Sequence, residues 1–159
     1  MMKSMWLMDL FWNTAHRFYG GGYCRIARFF ELLSFMIGAN EISAKCQIGK
    51  DTKFYHRGLG CVVQENTIIG ENCRIFQNVT LGSRWKNGVC ESGSPIIGDN
   101  VVIGAGAMVL GNILIGNNVK IGANAVVTKN IPDEATAVGV PAKIILKNKL
   151  DGGANQCTI

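Results

Sequence analysis

His56 stands in the segment Tyr55-His56-Arg57-Gly58-Leu59-Gly60 and is one of only two histidines in 159 residues. A histidine in a polar, glycine-rich segment can serve as a general base, because an unperturbed imidazole titrates close to neutral pH. It could take the proton of an acceptor hydroxyl during acyl transfer from a thioester. The thiol leaving group of such a reaction needs little help, while its oxyanion needs a hydrogen-bond donor. The plainer reading is that His56 caps a turn. Arg57 competes for the same slot, since counting back from Val62-Val63 leaves an ambiguity of one residue. His16 lies in an apolar, helix-patterned stretch and reads as structural. A second cluster, Arg84-Trp85-Lys86, offers an indole face and two cations. It suits a ring-shaped acceptor bearing carboxylate or phosphate; an exposed loop is the alternative. Tyr55, Arg57, Gln77, Arg84, Trp85, Lys86 and Ser94 form the expected substrate-binding set.

Both clusters interrupt a period. Aliphatic residues recur every six positions at Val63, Ile69, Ile75 and Leu81, then at Ile97, Ile103, Val109, Ile115, Ile121 and Val127. Ile42, Ile48 and Phe54 precede them in the same phase. The next residue is often Gly, and four places on sits a small or β-branched residue such as Cys46, Thr52, Thr67, Cys73 or Val79. Neither a helix nor an alternating strand repeats every six residues, whereas the short strands and turns of a parallel β-helix do. The aliphatic should point to the axis and the small residue should fill a corner. Gly, Asn72, Asp99, Asn100, Asn117 and Asn118 suit corners that need positive φ or close backbone approach. Stacking then buries a column that no single repeat could bury alone. The hexads count to about five coils between Ile42 and Pro132. The interval widens to nine at Phe54–Val63, around His56, and to sixteen at Leu81–Ile97, around the second cluster. Function is expected where the period breaks.

Twenty glycines against three prolines fit a turn-rich, all-β solenoid. The net charge of +5 with 17% charged residues reads as a solvated basic surface, or as attraction for an anionic partner such as cofactor phosphate, acidic glycan or membrane. No basic stripe with interleaved aromatics suggests nucleic acid. The six cysteines show no paired spacing, and Cys46 and Cys73 fall in interior slots, so a reducing cytoplasm is expected. Residues 1–40 follow helical spacing in two runs: Trp6, Leu7, Leu10 and Phe11, then Ile26, Phe29, Phe30, Leu33 and Ile37. Gly38 and Asn40 suit a helix stop. This segment is expected to pack on the end of the solenoid. Weak peripheral membrane contact through Trp6, Phe11, Trp12 and Phe30, with Lys3, Arg17, Arg25 and Arg28 touching headgroups, is the alternative. The first twelve residues, apolar but broken by Lys3 and Asp9 and without a small-residue cleavage site, are not expected to act as a signal peptide or to span a bilayer. The division is therefore a helical segment at 1–40, a β-helix at 41–146 with a protruding loop at 83–96, and a tail at 147–159.

Ile97-Gly98-Asp99-Asn100-Val101-Val102, Ile103-Gly104-Ala105-Gly106-Ala107 and the closing Ala137-Val138-Gly139-Val140-Pro141-Ala142-Lys143-Ile144 resemble the hexapeptide-repeat acyltransferases. The resemblance covers most of the chain, Glu41 to Leu146, and implies a left-handed β-helix, against the usual right-handed crossover. Tyr55-His56-Arg57-Gly58-Leu59-Gly60-Cys61-Val62-Val63 with Gln77-Asn78-Val79-Thr80-Leu81-Gly82 is similar to the serine acetyltransferase-like branch. It implies His56 as the base and acetyl-CoA as co-substrate. The family's pantetheine arm would run past small corners matched by Gly104, Ala105, Gly106, Ala107, Gly122 and Ala123, with Ser83 also on the donor side. Lys120 and Lys143 match cations near the adenine and phosphate end; ordinary solenoid filler is the plainer reading of the alanines. A flat coil face has no pocket, so a site between chains, and hence the family's homotrimer, is expected.

Three features depart from serine acetyltransferases. Tyr55 replaces an Asp, Gly93-Ser94-Pro95 replaces an Arg-His-Pro, and the helical domain is reduced to residues 1–40. What remains resembles shorter enzymes that acetylate a sugar or surface-polysaccharide hydroxyl, and such an acceptor is the expectation. Serine O-acetylation is the alternative, and a non-catalytic scaffold a second. No metal is expected, because the zinc enzymes of this fold need three histidines per site.

Overall fold

The protein, in a computed structural model, is described over residues 7–90 and 93–146. The expected tail at 147–159, and Lys3 and Trp6 with it, lie outside the described residues. Two helices come first, α1 (Leu7–Gly20) and α2 (Cys24–Gly38). The first coil is β1 (Glu41–Ile42), β2 (Gln47–Ile48) and β3 (Lys53–Phe54). The second is β4 (Val62–Val63), β5 (Ile68–Ile69) and β6 (Arg74–Ile75). After β7 (Thr80–Gly82) a hairpin leaves the body as β8 (Trp85–Lys86) and β9 (Val89–Cys90). The chain returns through β10 (Ile96–Ile97) and β11 (Val102–Ile103), then β12 (Met108–Leu110), β13 (Leu114–Ile115) and β14 (Lys120–Ile121). It closes with β15 (Val126–Val127), β16 (Thr136–Val138) and an antiparallel β17 (Lys143–Ile145).

Three sheets make the three sides of the solenoid. One is β1-β4-β7-β12-β15, the next β2-β5-β10-β13, and the third β3-β6-β11-β14-β16-β17. Apart from the β16–β17 pair, every pairing between coils is parallel, and hexad is set on hexad: Ile42↔Val63↔Leu81 on the first side, Phe54↔Ile75↔Ile103↔Ile121 on the third. The aliphatic of each hexad is buried except Ile48, which is half-buried in the first coil, and Ile75, Leu81, Ile103, Val109 and Ile115 are fully buried. The small-residue slots Cys46, Thr67, Cys73, Val79, Val101, Ala107, Val119 and Ala125 are equally buried. The column continues past the expected Val127 into Ile131, bridged to Ile115, and Ala137, paired with Ile121. The interval there shortens from six to four, so the phase shift hid these members.

Two devices turn the corners. Asn66, Asn72, Asn78, Asn100, Asn118 and Asn124 sit at φ between 54° and 65°, a region that Asn tolerates well. Asp99, Asn117 and Asp133 work through their side chains instead. Each accepts an N–H from the coil before it: Glu71 N–H to Asp99 Oδ1 at 2.8 Å, Asp99 N–H to Asn117 Oδ1 at 2.8 Å, Asn117 N–H to Asp133 Oδ1 at 2.7 Å. Glycine after the aliphatic answers to crowding. At Gly49 a Cβ would lie 2.5 Å from the carbonyl of Gly70 in the next coil, so only glycine lets the coils stack at this corner.

The helical hairpin covers the first coil with polar and small groups. Trp12 Nε1 donates to Ser43 O (3.2 Å), His16 Nδ1 to Ala44 O (2.7 Å), and Ala44 N–H to Glu31 Oε1 (2.6 Å). Trp12 and His16 stack with centroids 4.9 Å apart, so His16 is tied to the first coil. Among described residues α2 buries Ala27 and Ser34, and half-buries Phe30 and Leu33. Ile26, Phe29 and Ile37, expected on the packing face, are exposed. The mismatch has a physical cause: coil one presents main-chain donors and acceptors at its open edge, and these are met by Glu31, Trp12 and His16. α2 ends at Gly38, one of the two expected stop residues, and is capped by Ala39 at φ 47°, whose N–H bonds Phe35 O.

Truncating the column tests the stacking: Ile103→Ala should cost about 2–5 kcal/mol in urea denaturation. The thiols provide a second test. Burial pushes Cys46 up to about 12 and raises Cys61 and Cys73 above their ordinary range, so little thiolate forms at these sites. At mildly alkaline pH, iodoacetamide followed by mass spectrometry should label the exposed Cys24 and Cys90 and leave those three unmodified until the protein unfolds.

Candidate active site

Between β3 and β4 the chain makes a tight turn, Tyr55–Gly58, with consecutive left-handed residues: His56 at φ 53°, ψ 36° and Arg57 at φ 61°, ψ 21°, followed by Gly58 at φ 65°. Bulky residues rarely hold this region, so the surroundings must impose it. Four contacts do so. Tyr55 stacks on Phe76 with centroids 4.9 Å apart and planes 13° apart. Leu59 N–H returns to His56 O (3.2 Å), and Gly60 N–H reaches Ala39 O (2.8 Å). Asn40 bridges the turn to the helices: it accepts from Ser34 Oγ (2.8 Å) and its Nδ2 donates to Arg57 O (3.4 Å). Helical patterning marks Asn40 only as a helix stop. Its burial was the missing signal.

The register of the third sheet extends this corner into a line. Because Phe54, Ile75, Ile103 and Ile121 are superposed, the residues just after them are superposed too. Tyr55 and His56 therefore stand over Phe76 and Gln77, then over Gly104 and Ala105, then over Gly122 and Ala123. Main-chain bonds run down this corner, Asn78 N–H to Leu59 O at 2.8 Å, Gly106 N–H to Gln77 O at 2.9 Å, Asn124 N–H to Ala105 O at 2.8 Å. His56 is exposed, with its ring centroid 6.4 Å from that of Phe76. Gln77 Oε1 is buried and without a hydrogen-bond partner among the described residues. An acceptor left in that state attracts a donor. Below it, four small residues leave a bare rail beside the main chain. Lys143 pairs with Val138 at the far end of this line, against which a Cβ on Gly122 would press. Lys120 faces out from the third sheet and, with Asn118, Glu134, Thr136, Ile145 and Leu146, lines an open cleft of about 590 Å³.

The second cluster is elsewhere. The β8–β9 hairpin, turned by Asn87-Gly88 at φ 51° and 77°, leaves from the end of β7, at the corner between the first and second sheets. Within one chain a whole side of the solenoid separates it from His56. Trp85 is exposed at the hairpin's root, and Arg84 stands beside Gly111; the backbone of Lys86 pairs with Val89. Ser83 and Ser94 anchor the hairpin. Ser83 N–H and Oγ both donate to Gln64 Oε1 (2.5 and 2.7 Å), and the buried Ser94 Oγ donates to Glu65 O (2.7 Å). The structure thus gathers Tyr55, His56, Arg57, Gln77, Gly104, Ala105, Gly122 and Ala123 on one corner, and sets Ser83, Arg84, Trp85, Lys86 and Ser94 on another.

Residues 94–129 match the family described as bacterial transferase hexapeptide (six repeats), so this stretch carries the repeat of the hexapeptide transferases. A serine acetyltransferase of Synechocystis sp. is 46% identical over 133 residues, 82% of this chain and 51% of the relative. A soybean serine acetyltransferase complexed with serine superposes with a TM-score of 0.80 at 38% identity, over 87% of this chain and 56% of that one. A serine acetyltransferase in complex with CoA gives 0.78 at 33% identity, over 87% and 55%. The chain spans about half the length of the curated relatives it matches.

These relatives overturn the expected sugar or polysaccharide acceptor, and with it the closeness to short sugar O-acetyltransferases. That expectation leaned on Trp85 as a platform for a sugar ring. In the fold Trp85 belongs to a different corner from His56, so it gives no such platform within the chain. It leaned also on the departures at Tyr55 and Ser94, yet the former has a packing role on Phe76 and the latter anchors a hairpin.

The Asn40 bridge is the checkable element of this geometry. Asn40→Ala removes the acceptor of the buried Ser34 hydroxyl and the side-chain donor to the Arg57 carbonyl, and should cost about 1–3 kcal/mol. Thermal unfolding should report it as a fall in Tm, by about 2–4 °C for each kcal/mol in a chain of this size.

Proposed function

We propose that the chain is a serine O-acetyltransferase that moves an acetyl group from acetyl-CoA to the serine hydroxyl, with His56 as the general base. The observation that carries this reading is the single corner line holding His56, the orphaned Gln77 Oε1 and the small-residue rail, in a chain similar to serine acetyltransferases along most of its length. The rail fits an extended pantetheine arm, because Gly104, Ala105, Gly122 and Ala123 present nothing beyond Cβ and let a ligand lie against the main chain. Lys143 and Lys120 supply positive charge towards the closing end, suited to the coenzyme's phosphates. Acetyl-CoA brings the activated acyl group and a good leaving group. His56 removes the hydroxyl proton as the serine oxygen forms the new ester bond, and the proton ends on the departing thiol sulfur. Between His56 and Arg57 chemistry decides: an imidazole has a lone pair to receive a proton and a guanidinium has none. Arg57 then suits the serine carboxylate, and Gln77 Oε1 its ammonium group, in place of the family groups that Tyr55 and Ser94 replace.

A left-handed winding and a homotrimer belong to the same reading. Three chains about a threefold axis bring the His56 corner of one chain against the hairpin side of the next, the arrangement in which Ser83, Arg84, Trp85 and Lys86 could line the groove.

The test is thiol release from acetyl-CoA with L-serine as acceptor. Wild type should turn over, and His56→Ala should lose about 100-fold or more in kcat. Arg57→Ala should raise KM for serine with a smaller effect on kcat. Undiminished turnover in His56→Ala would remove His56 from the chemistry, and absence of turnover with serine would remove the acceptor.

A further inference from the structure

We infer that the outward face of α2 docks the protein onto an anionic lipid surface. This goes beyond the acetyl-transfer reading and does not rest on it. Six large apolar side chains of α2 are exposed, and four of them make up its outward face: Phe29 is 56% exposed, Leu32 54%, Phe35 57% and Met36 72%. On a helix of 3.6 residues per turn, Phe29, Leu32 and Met36 fall on one stripe, and Phe35 flanks it. The stripe points away from coil one, since α2 turns Ala27 and Ser34 inward. Exposed apolar patches of this kind mark an interaction site when they are contiguous.

Charge selects the occupant. Arg25 and Arg28 occupy the N-terminal half of the same outward face, and both are exposed. The helix has one carboxylate, Glu31, and it is turned towards the solenoid to accept the Ala44 N–H. The face therefore carries cations and bulky apolar groups with no anion among them. A second copy of the same face would bring only more arginine to meet Arg25 and Arg28. Anionic headgroups complement both halves: phosphates for the guanidinium groups, acyl chains for Phe29, Leu32, Phe35 and Met36. The chain's net charge of +5 adds to the attraction. No helix among the described residues is long and apolar enough to cross a bilayer, so the contact is one of a helix lying in the interface.

The experiment is co-sedimentation of the full chain with sucrose-loaded vesicles, either phosphatidylcholine alone or equal parts phosphatidylcholine and phosphatidylglycerol. Binding should appear with the anionic vesicles and weaken as salt rises. The combined variant Leu32→Ser, Phe35→Ser, Met36→Ser should reduce the bound-to-free ratio by about tenfold or more. Arg25→Gln with Arg28→Gln should reduce it comparably and flatten its salt dependence. Circular dichroism checks that each variant keeps its helix and strand content. Failure of the wild type to sediment with anionic vesicles overturns the inference, as does equal binding by the variants. A fall in sedimentation-velocity mass for the apolar variant also overturns it, because the face would then belong to a second copy.

Discussion

Parallel hydrogen bonding between successive coils is the constraint on which this molecule depends. It superposes each hexad on the hexad before it, so identical positions accumulate into lines. One line is the aliphatic column, from Ile42 through Ile103 to Ala137, which supplies the buried surface. Another is the corner that starts at Tyr55 and His56 and ends near Gly139. Neither line exists in any single repeat. Stability and site share one cause, which explains why a residue such as Gly49 is dictated by a carbonyl in the next coil.

Local strain enters where that constraint is relaxed. Three residues more than a hexad lie between Phe54 and Val63, and the excess is taken up in left-handed residues that include two with bulky side chains. Such a turn persists only if its neighbours over-determine it. Phe76 from the next coil, Ala39 and Asn40 from the end of the helical hairpin, and the turn's own return bond all do so. The helical hairpin is thus connected to the site by the bridge from Ser34 through Asn40 to Arg57. The second relaxation, between β7 and β10, is handled differently. There the excess forms an independent hairpin pinned at its base by Gln64 and the Glu65 carbonyl.

The hairpin of helices resolves two needs that compete for α2. Coil one exposes main-chain groups that need polar partners, and Glu31, Trp12 and His16 provide them. Meeting that need turns the small face of α2 inward and leaves Phe29, Leu32, Phe35 and Met36 outside. Helical periodicity recognised the apolar residues but had no means of weighing apolar burial against an unpaired strand edge.

The sequence alone determined the solenoid, because a six-residue period admits few other folds, and it marked the two places where the period fails. His56 was singled out by a break in that spacing, and Gly104, Ala105, Gly122 and Ala123 by resemblance alone. Tertiary structure decided which of these positions share a corner, since that depends on register between coils and not on order along the chain. It parted the Trp85 cluster from His56, gave Ser83 and Ser94 anchoring roles, carried the column on through Ile131 and Ala137, and made Asn40 a strut. Each follows from contacts between residues distant in sequence, whose partners no local pattern can specify.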